Sequence, residues 1–140
     1  MPRFTLFLFC AIFLGALFPA DQARAFAPKR YHENQIYRGR ASWYGSDQGR
    51  ATASGERFNA RKFTAAHRSL PFGTIIHVTN LNNGLSVDVR INDRGPWAHS
   101  RILDLSSAAA DALQMKRSGI VPVEFQIIKL GTPGKYHRQY

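Results

Sequence analysis

Apolar and polar residues alternate strictly along two stretches of the chain. Val87, Val89 and Ile91 alternate with Ser86, Asp88 and Arg90, and Val121, Val123, Phe125 and Ile127 alternate with Pro122, Glu124 and Gln126. A period of two sends successive side chains to opposite faces, so both stretches predict strands with one buried face. Thr74 to Leu81, rich in β-branched residues, predicts a third strand. Asn83-Gly84 then predicts a type I′ turn that closes a hairpin from 74–81 onto 86–92. Gly39 to Tyr44 predicts a fourth strand. One helix is expected: Leu105-Ser106 enters and caps it, Ala108, Ala109, Ala112, Leu113 and Met115 form its apolar side, and Gly119 ends it. The pattern describes a small, strand-dominated domain with one short helix.

The N-terminus follows a different rule. Arg3 precedes an apolar run from Phe4 to Phe18, and Ala23-Arg24-Ala25 follows. This order of a basic residue, an apolar core too short to span a bilayer and an A-x-A site predicts a secretory signal over residues 1–25. Cleavage is expected after Ala25, with Ala27 as the second site and an uncleaved anchor as the competing reading. The product would be exported to the periplasm or cell envelope without stable membrane insertion. Cys10 is the sole cysteine. Phe7, Leu8 and Phe9 precede it where a lipidation site requires small residues, so no lipoprotein is expected. The exported part then has no thiol and no disulfide.

Some 115 residues remain after the signal, enough for one hydrophobic core. Residues 26–37 lack a period and are expected to be a linker or arm, 38–130 the domain, and 131–140 a basic tail. The remainder keeps 17 basic and 8 acidic residues, a net charge of +9. In the cytosol such a charge would suggest nucleic acid. Export argues against nucleic acid and points to anionic envelope polymers or to simple solubility.

Polar residues that local structure does not require concentrate in 49–59, 64–73 and 92–97. Glu56 follows a run of small residues and either faces a ligand or is a solvated loop residue. Asp93 lies on the buried side by parity from Val87, just before Gly95-Pro96. There it is partly desolvated, which raises a carboxyl pKa unless a cation such as Arg94 counters it; alternatively, it bonds the turn that follows. His67 is either a catalytic or a structural hydrogen-bonding residue. His32, His77, His99 and His137 show no ligand spacing, so neither a metal nor another cofactor is expected. No serine sits in a G-x-S-x-G elbow, and there is no phosphate loop.

Six collinear blocks, GRASWYG, TASGERF, TAAHRSLPFGT, VTNLNNG, VRINDRGP and RILDLSSAAADAL, together cover about residues 38–128. Their order and spacing resemble the RlpA, or rare lipoprotein A, family of lytic transglycosylases. The resemblance implies a mainly β fold, a six-stranded double-psi β-barrel with one short helix. It also implies cleavage of peptidoglycan glycan strands, with a preference for strands lacking stem peptides; a monomer is expected. It places the family's catalytic residues on Glu56, His67 and Asp93. Glu56 would act as acid and then base, Asp93 would stabilise charge, and His67 would hydrogen-bond a carboxylate or the sugar 6-hydroxyl. Trp43, Tyr44, Asn59, Arg94 and Trp97 would contact substrate. Asn59 stands where the family commonly has aspartate, and an amide cannot carry the proton. A non-catalytic glycan-binding barrel, motivated by Asn59 and the basic surface, is one alternative; a hydrolase with two separated carboxyl groups acting through water is another.

Overall fold

A computed structural model describes residues 29–46 and 48–133. The expected signal, Cys10, the first residues of the linker and most of the tail lie outside them. Six strands close a barrel: β1 (Ile36–Tyr44), β2 (Thr64–Ala66), β3 (Ile75–Asn80), β4 (Ser86–Asp93), β5 (Leu103–Ser106) and β6 (Val121–Lys129). One helix, α1 (Ser107–Ala112), follows β5. Around the barrel the order is β1-β5-β2-β4-β3-β6, with β1/β5 and β2/β4 parallel and every other pair antiparallel. This is the mainly β, six-stranded barrel with one short helix that the resemblance implied. Closure leaves no strand edge to recruit another chain.

The period-two stretches build the wall as expected. Val89, Ile91, Val121, Val123, Phe125 and Ile127 point into one core with Ile76, Val78, Leu103 and Leu105. Two strands escaped the pattern. Thr64–Ala66 is only three residues long and entirely buried, so it shows no alternation. Leu103–Ser106 had been assigned in part to the helix entry. Leu105 is instead a buried strand residue, and the strand runs into the cap.

Four local expectations change. β1 starts at Ile36, and Asn34 N–H donates to Ile127 O at 2.7 Å, so the segment taken for a linker is already paired to β6. Tyr31 and Tyr37 pack against the core. The hairpin loop is not type I′, because Gly84 has a positive φ of 77° and Asn83 does not. Both Asn83 N–H and Gly84 N–H donate to Asn80 O, a turn followed by a single left-handed glycine. The helix ends at Ala112 rather than near Gly119, since Gln114 turns left-handed at φ 49°. Ala112 is consequently exposed, while Ala109, Ala110, Leu113 and Met115 are buried.

Ser106 joins these parts. Its buried hydroxyl accepts from Ala109 N–H and Thr64 N–H, both at 3.3 Å, and donates to Lys62 O at 2.7 Å. One group thus caps α1 and anchors the entrance of β2. Ser106→Ala removes the cap and leaves the buried Ala109 N–H without its acceptor, while Thr64 N–H and Lys62 O keep each other at 3.1 Å, at a cost of about 2 kcal/mol. For a domain of this size, thermal denaturation followed by circular dichroism is expected to show a midpoint lower by roughly 10 °C.

Candidate active site

The parallel pair β2/β4 is out of register near its end: Ala65 pairs with Ile91, but Ala66 pairs with Asp93, so Asn92 is a bulge. Asn92 and Asp93 are both buried yet serve different partners. The Asn92 amide donates to Glu56 Oε2 at 3.1 Å. Asp93, 6% exposed, faces a cleft of about 470 Å³ at the barrel end.

The loop after β1 forms one wall of that cleft. Its ends are tied by Gly49 N–H to Phe58 O and Phe58 N–H to Arg50 O, and buried Phe58 packs on Tyr44 with ring centroids 4.7 Å apart. Gly55, at φ 92°, supplies the left-handed turn at its tip. The loop is then pinned to β4: Ser54 N–H donates to Asn92 O, and Ala53 N–H to Asp93 Oδ1 at 2.9 Å.

Asp93 accepts from three donors, Ala53 N–H, Arg94 N–H at 2.9 Å and the Arg50 guanidinium at 3.0 Å. The cation opposite Asp93 is thus Arg50 rather than Arg94. The Arg94 guanidinium instead stacks 3.8 Å from the Phe72 ring centroid and donates to His67 O. Burial lowers its pKa, and the charge of Asp93 partly opposes that shift.

Opposite Asp93 stands Asp104, on β5 beside Ala66. Its Oδ1 accepts a short bond from the Ser42 hydroxyl and one from Arg101 Nε at 3.3 Å. Its Oδ2 has no hydrogen bond among the described residues and lies near Gly95. Asp104, Ser42 and Arg50 were not singled out from the sequence. Asp104 carried a readable signal, since it alternates with buried Leu103 and Leu105 and so must point out of the core.

The predicted residues are only partly brought together. Tyr44, Arg94 and Trp97 line the cleft with Asp93, and Trp97 is 75% exposed at its lip. Glu56 does not line it. Its carboxylate is held in a fork by Arg90 Nη1 and Nη2 at 2.8 and 3.0 Å, with Asn92 as third donor. His67 does not reach the cleft either. Its Nδ1 accepts from Ser69 N–H and Leu70 N–H, and its ring stands edge-on to Tyr31 and Phe125 in a second cavity. Burial, then the charges of Arg68, Lys29 and Arg94, lowers its pKa to about 4. Asn59 accepts from Arg61 N–H at 3.0 Å and shapes a surface turn, and Trp43 packs against the core with the Lys116 ammonium 5.1 Å from its ring. Among the described residues, no three metal-ligating side chains gather.

Comparison with known proteins agrees with this architecture. The family profile described as "Lytic transglycolase" matches residues 36–125. A probable endolytic peptidoglycan transglycosylase RlpA of Aquifex aeolicus is 54% identical over 95 residues, covering 67% of this chain and 42% of the relative. The endolytic peptidoglycan transglycosylase RlpA of Neisseria meningitidis is 44% identical over 118 residues, covering 80% and 49%. The chain therefore spans less than half the length of these relatives. Among solved structures, the expansin of Clavibacter michiganensis superposes with a TM-score of 0.57 at 26% identity, over 70% of this chain and 52% of that one. A mutant of the same expansin, solved in complex with cellohexaose, gives 0.56 at 25% identity over 71% and 54%. By fold, by the residues matched and by the identity of its relatives, this chain belongs to the lytic transglycolase family of double-psi β-barrels.

Proposed function

We propose that this domain is a peptidoglycan lytic transglycosylase. It would cleave the β-1,4 bond between MurNAc and GlcNAc and close a 1,6-anhydro ring on MurNAc, acting outside the inner membrane on strands without stem peptides. The observation that carries the reading is the pair of carboxyl groups, Asp93 and Asp104, facing one open cleft with an exposed tryptophan at its lip. The relatives named as endolytic peptidoglycan transglycosylases, and the expansin solved with a glucan chain, supply the substrate class.

Both oxygens of Glu56 are occupied, and His67 lies in the other cavity. We therefore give the proton-carrying role to Asp104, whose Oδ2 is unoccupied. Its carboxyl group donates a proton to the glycosidic oxygen as the C1–O bond breaks. The oxocarbenium-like centre that develops is stabilised by the charge of Asp93, which Arg50 and two backbone N–H groups orient. The Asp104 carboxylate then takes the proton of the C6 hydroxyl while that oxygen bonds C1. The acid is regenerated and no water is consumed. Glu56 positions the cleft wall through Arg90 and Asn92. Asn59 holds a turn outside the cleft, so its replacement of an aspartate removes no proton carrier from this arrangement.

Mass spectrometry of digested glycan strands tests the assignment. Wild type is expected to release 1,6-anhydro ends, and Asp104→Asn to lose about 10²–10⁴ in kcat with its fold intact. Glu56→Gln is expected to lose less, and Asn59→Asp to change little. No anhydro ends from folded wild type, with gain of activity in Asn59→Asp, would favour the glycan-binding alternative. Full activity in Asp104→Asn alongside an inert Glu56→Gln would return the proton to Glu56.

A second expectation concerns pH. His67 binds a proton less readily in the fold, at about 4, than the 6.5 of the unfolded chain. The unfolded state therefore binds more protons between those values, and stability falls as pH drops through them, by at most about 3 kcal/mol. Urea denaturation from pH 7 to 4 is expected to show this loss in wild type and a smaller one in His67→Gln. The pH–rate profile of cleavage near neutrality should carry no inflection from His67.

A further inference from the structure

The second cavity, about 270 Å³, has a chemistry unlike that of the cleft. Lys29, Arg38 and Arg68 line it with His67, and no acidic side chain does so among the described residues. Arg38 is paired with Glu124 at 2.7 Å. The Lys29 ammonium lies 5.2 and 5.1 Å from the ring centroids of Tyr31 and Tyr37. Apolar surface comes from Phe125, stacked on Tyr37 at 5.1 Å, and from Ile102. Because two backbone N–H groups occupy Nδ1, the His67 ring carries its proton on Nε2 and acts as a neutral donor. Ser69 and Tyr31 add hydroxyls, bonded to each other at 2.5 Å. Cations, neutral donors and a small apolar wall together suit a compact carboxylate with a short aliphatic substituent.

The cavity adjoins the cleft along the chain. Ala66 lines the cleft and His67 the cavity, and Ile102 precedes Asp104 by two residues, at most ~7 Å of chain. Arg68 connects the two. While lining the cavity it donates from Nη1 to Pro96 O at 3.1 Å and Arg101 O at 2.8 Å, bracing both ends of the segment that carries Trp97.

We propose that the cavity around His67 is a carboxylate subsite of the glycan-binding surface, one that engages a carboxylate of the strand being cut. This rests on the cleft acting on peptidoglycan. Two groups in that polymer have the required chemistry: the lactyl carboxylate of a MurNAc without its peptide, which also carries a methyl, and the carboxyl terminus of a stem peptide. The lactyl group fits better, because it sits on the sugar ring itself and a strand in the cleft would present it without a flexible spacer.

The test is a titration of the isotope-labelled exported protein, followed by nuclear magnetic resonance, with N-acetylmuramic acid, N-acetylglucosamine and a D-alanine-terminated stem peptide. N-acetylmuramic acid is expected to shift the resonances of His67, Tyr31 and Tyr37, and N-acetylglucosamine, identical but for the lactyl group, is expected to leave them in place. Lys29→Glu should weaken the muramic acid response about tenfold. Arg68→Gln, which keeps an amide donor for the carbonyls, should weaken it with the fold retained. A response to the stem peptide and none to muramic acid would keep the carboxylate subsite and change its source. Equal responses to the two sugars, or none to either acid, would overturn it. Binding is read whether or not the protein cleaves, so an inactive cleft and an absent subsite give different results.

Discussion

Where β2 and β4 run parallel, the ladder slips by one residue, and Asn92 and Asp93 leave the strand toward different partners. That slip lets one strand end do two jobs. Asn92 O and its side-chain amide fasten the loop carrying Glu56, while Asp93 collects the backbone of Ala53 and the guanidinium of Arg50. The loop has little apolar surface apart from Phe58, so hydrogen bonds to the bulge locate the cleft wall. A regular ladder would place both side chains by strict alternation and leave one set of donors unanswered.

How much of this the sequence disclosed depends on the range of the interaction. Strands β4 and β6 declare themselves because Val89, Ile91, Val121 and Phe125 alternate with polar neighbours over many residues, and β3 by its β-branched run. The same parity put Asp93 on the side of Ile91, but the bulge at Asn92 breaks that count: Asp93 is buried beside Ala66 and faces the cleft with Asp104. Thr64–Ala66 gives no such sign: three small buried residues become a strand only because β4 and β5 flank them on either side. The six collinear blocks supplied the barrel that periodicity alone did not. The site was legible in its parts and not in its grouping. That Glu56 meets Arg90, that Arg50 meets Asp93 over 43 positions, and that His67 turns into a separate cavity are consequences of closure, which local sequence does not encode.

Without a cysteine in the described residues, a domain this small must be rigid by other means. The barrel closes on itself, Ser106 locks the helix to the entrance of β2, and the segment before β1 extends the β6 pairing. The excess positive charge is carried outside that core. Some of it is put to local use, as Arg50, Arg90 and Arg101 each meet a carboxylate at or beside the cleft.

The residues that line the cleft beside its charged groups include Ala51, Ala53 and Ala66, the smallest chiral side chains available. Any ligand entering there meets backbone almost directly, with a strand on one side and a pinned loop on the other. Between the long side chains of Arg50 and Trp97, the alanines leave a strip of wall that no rotamer change can widen, so clearance along that strip is fixed by the backbone. A cleft of this kind acts as a gauge, and its width was set by three methyl groups that left room.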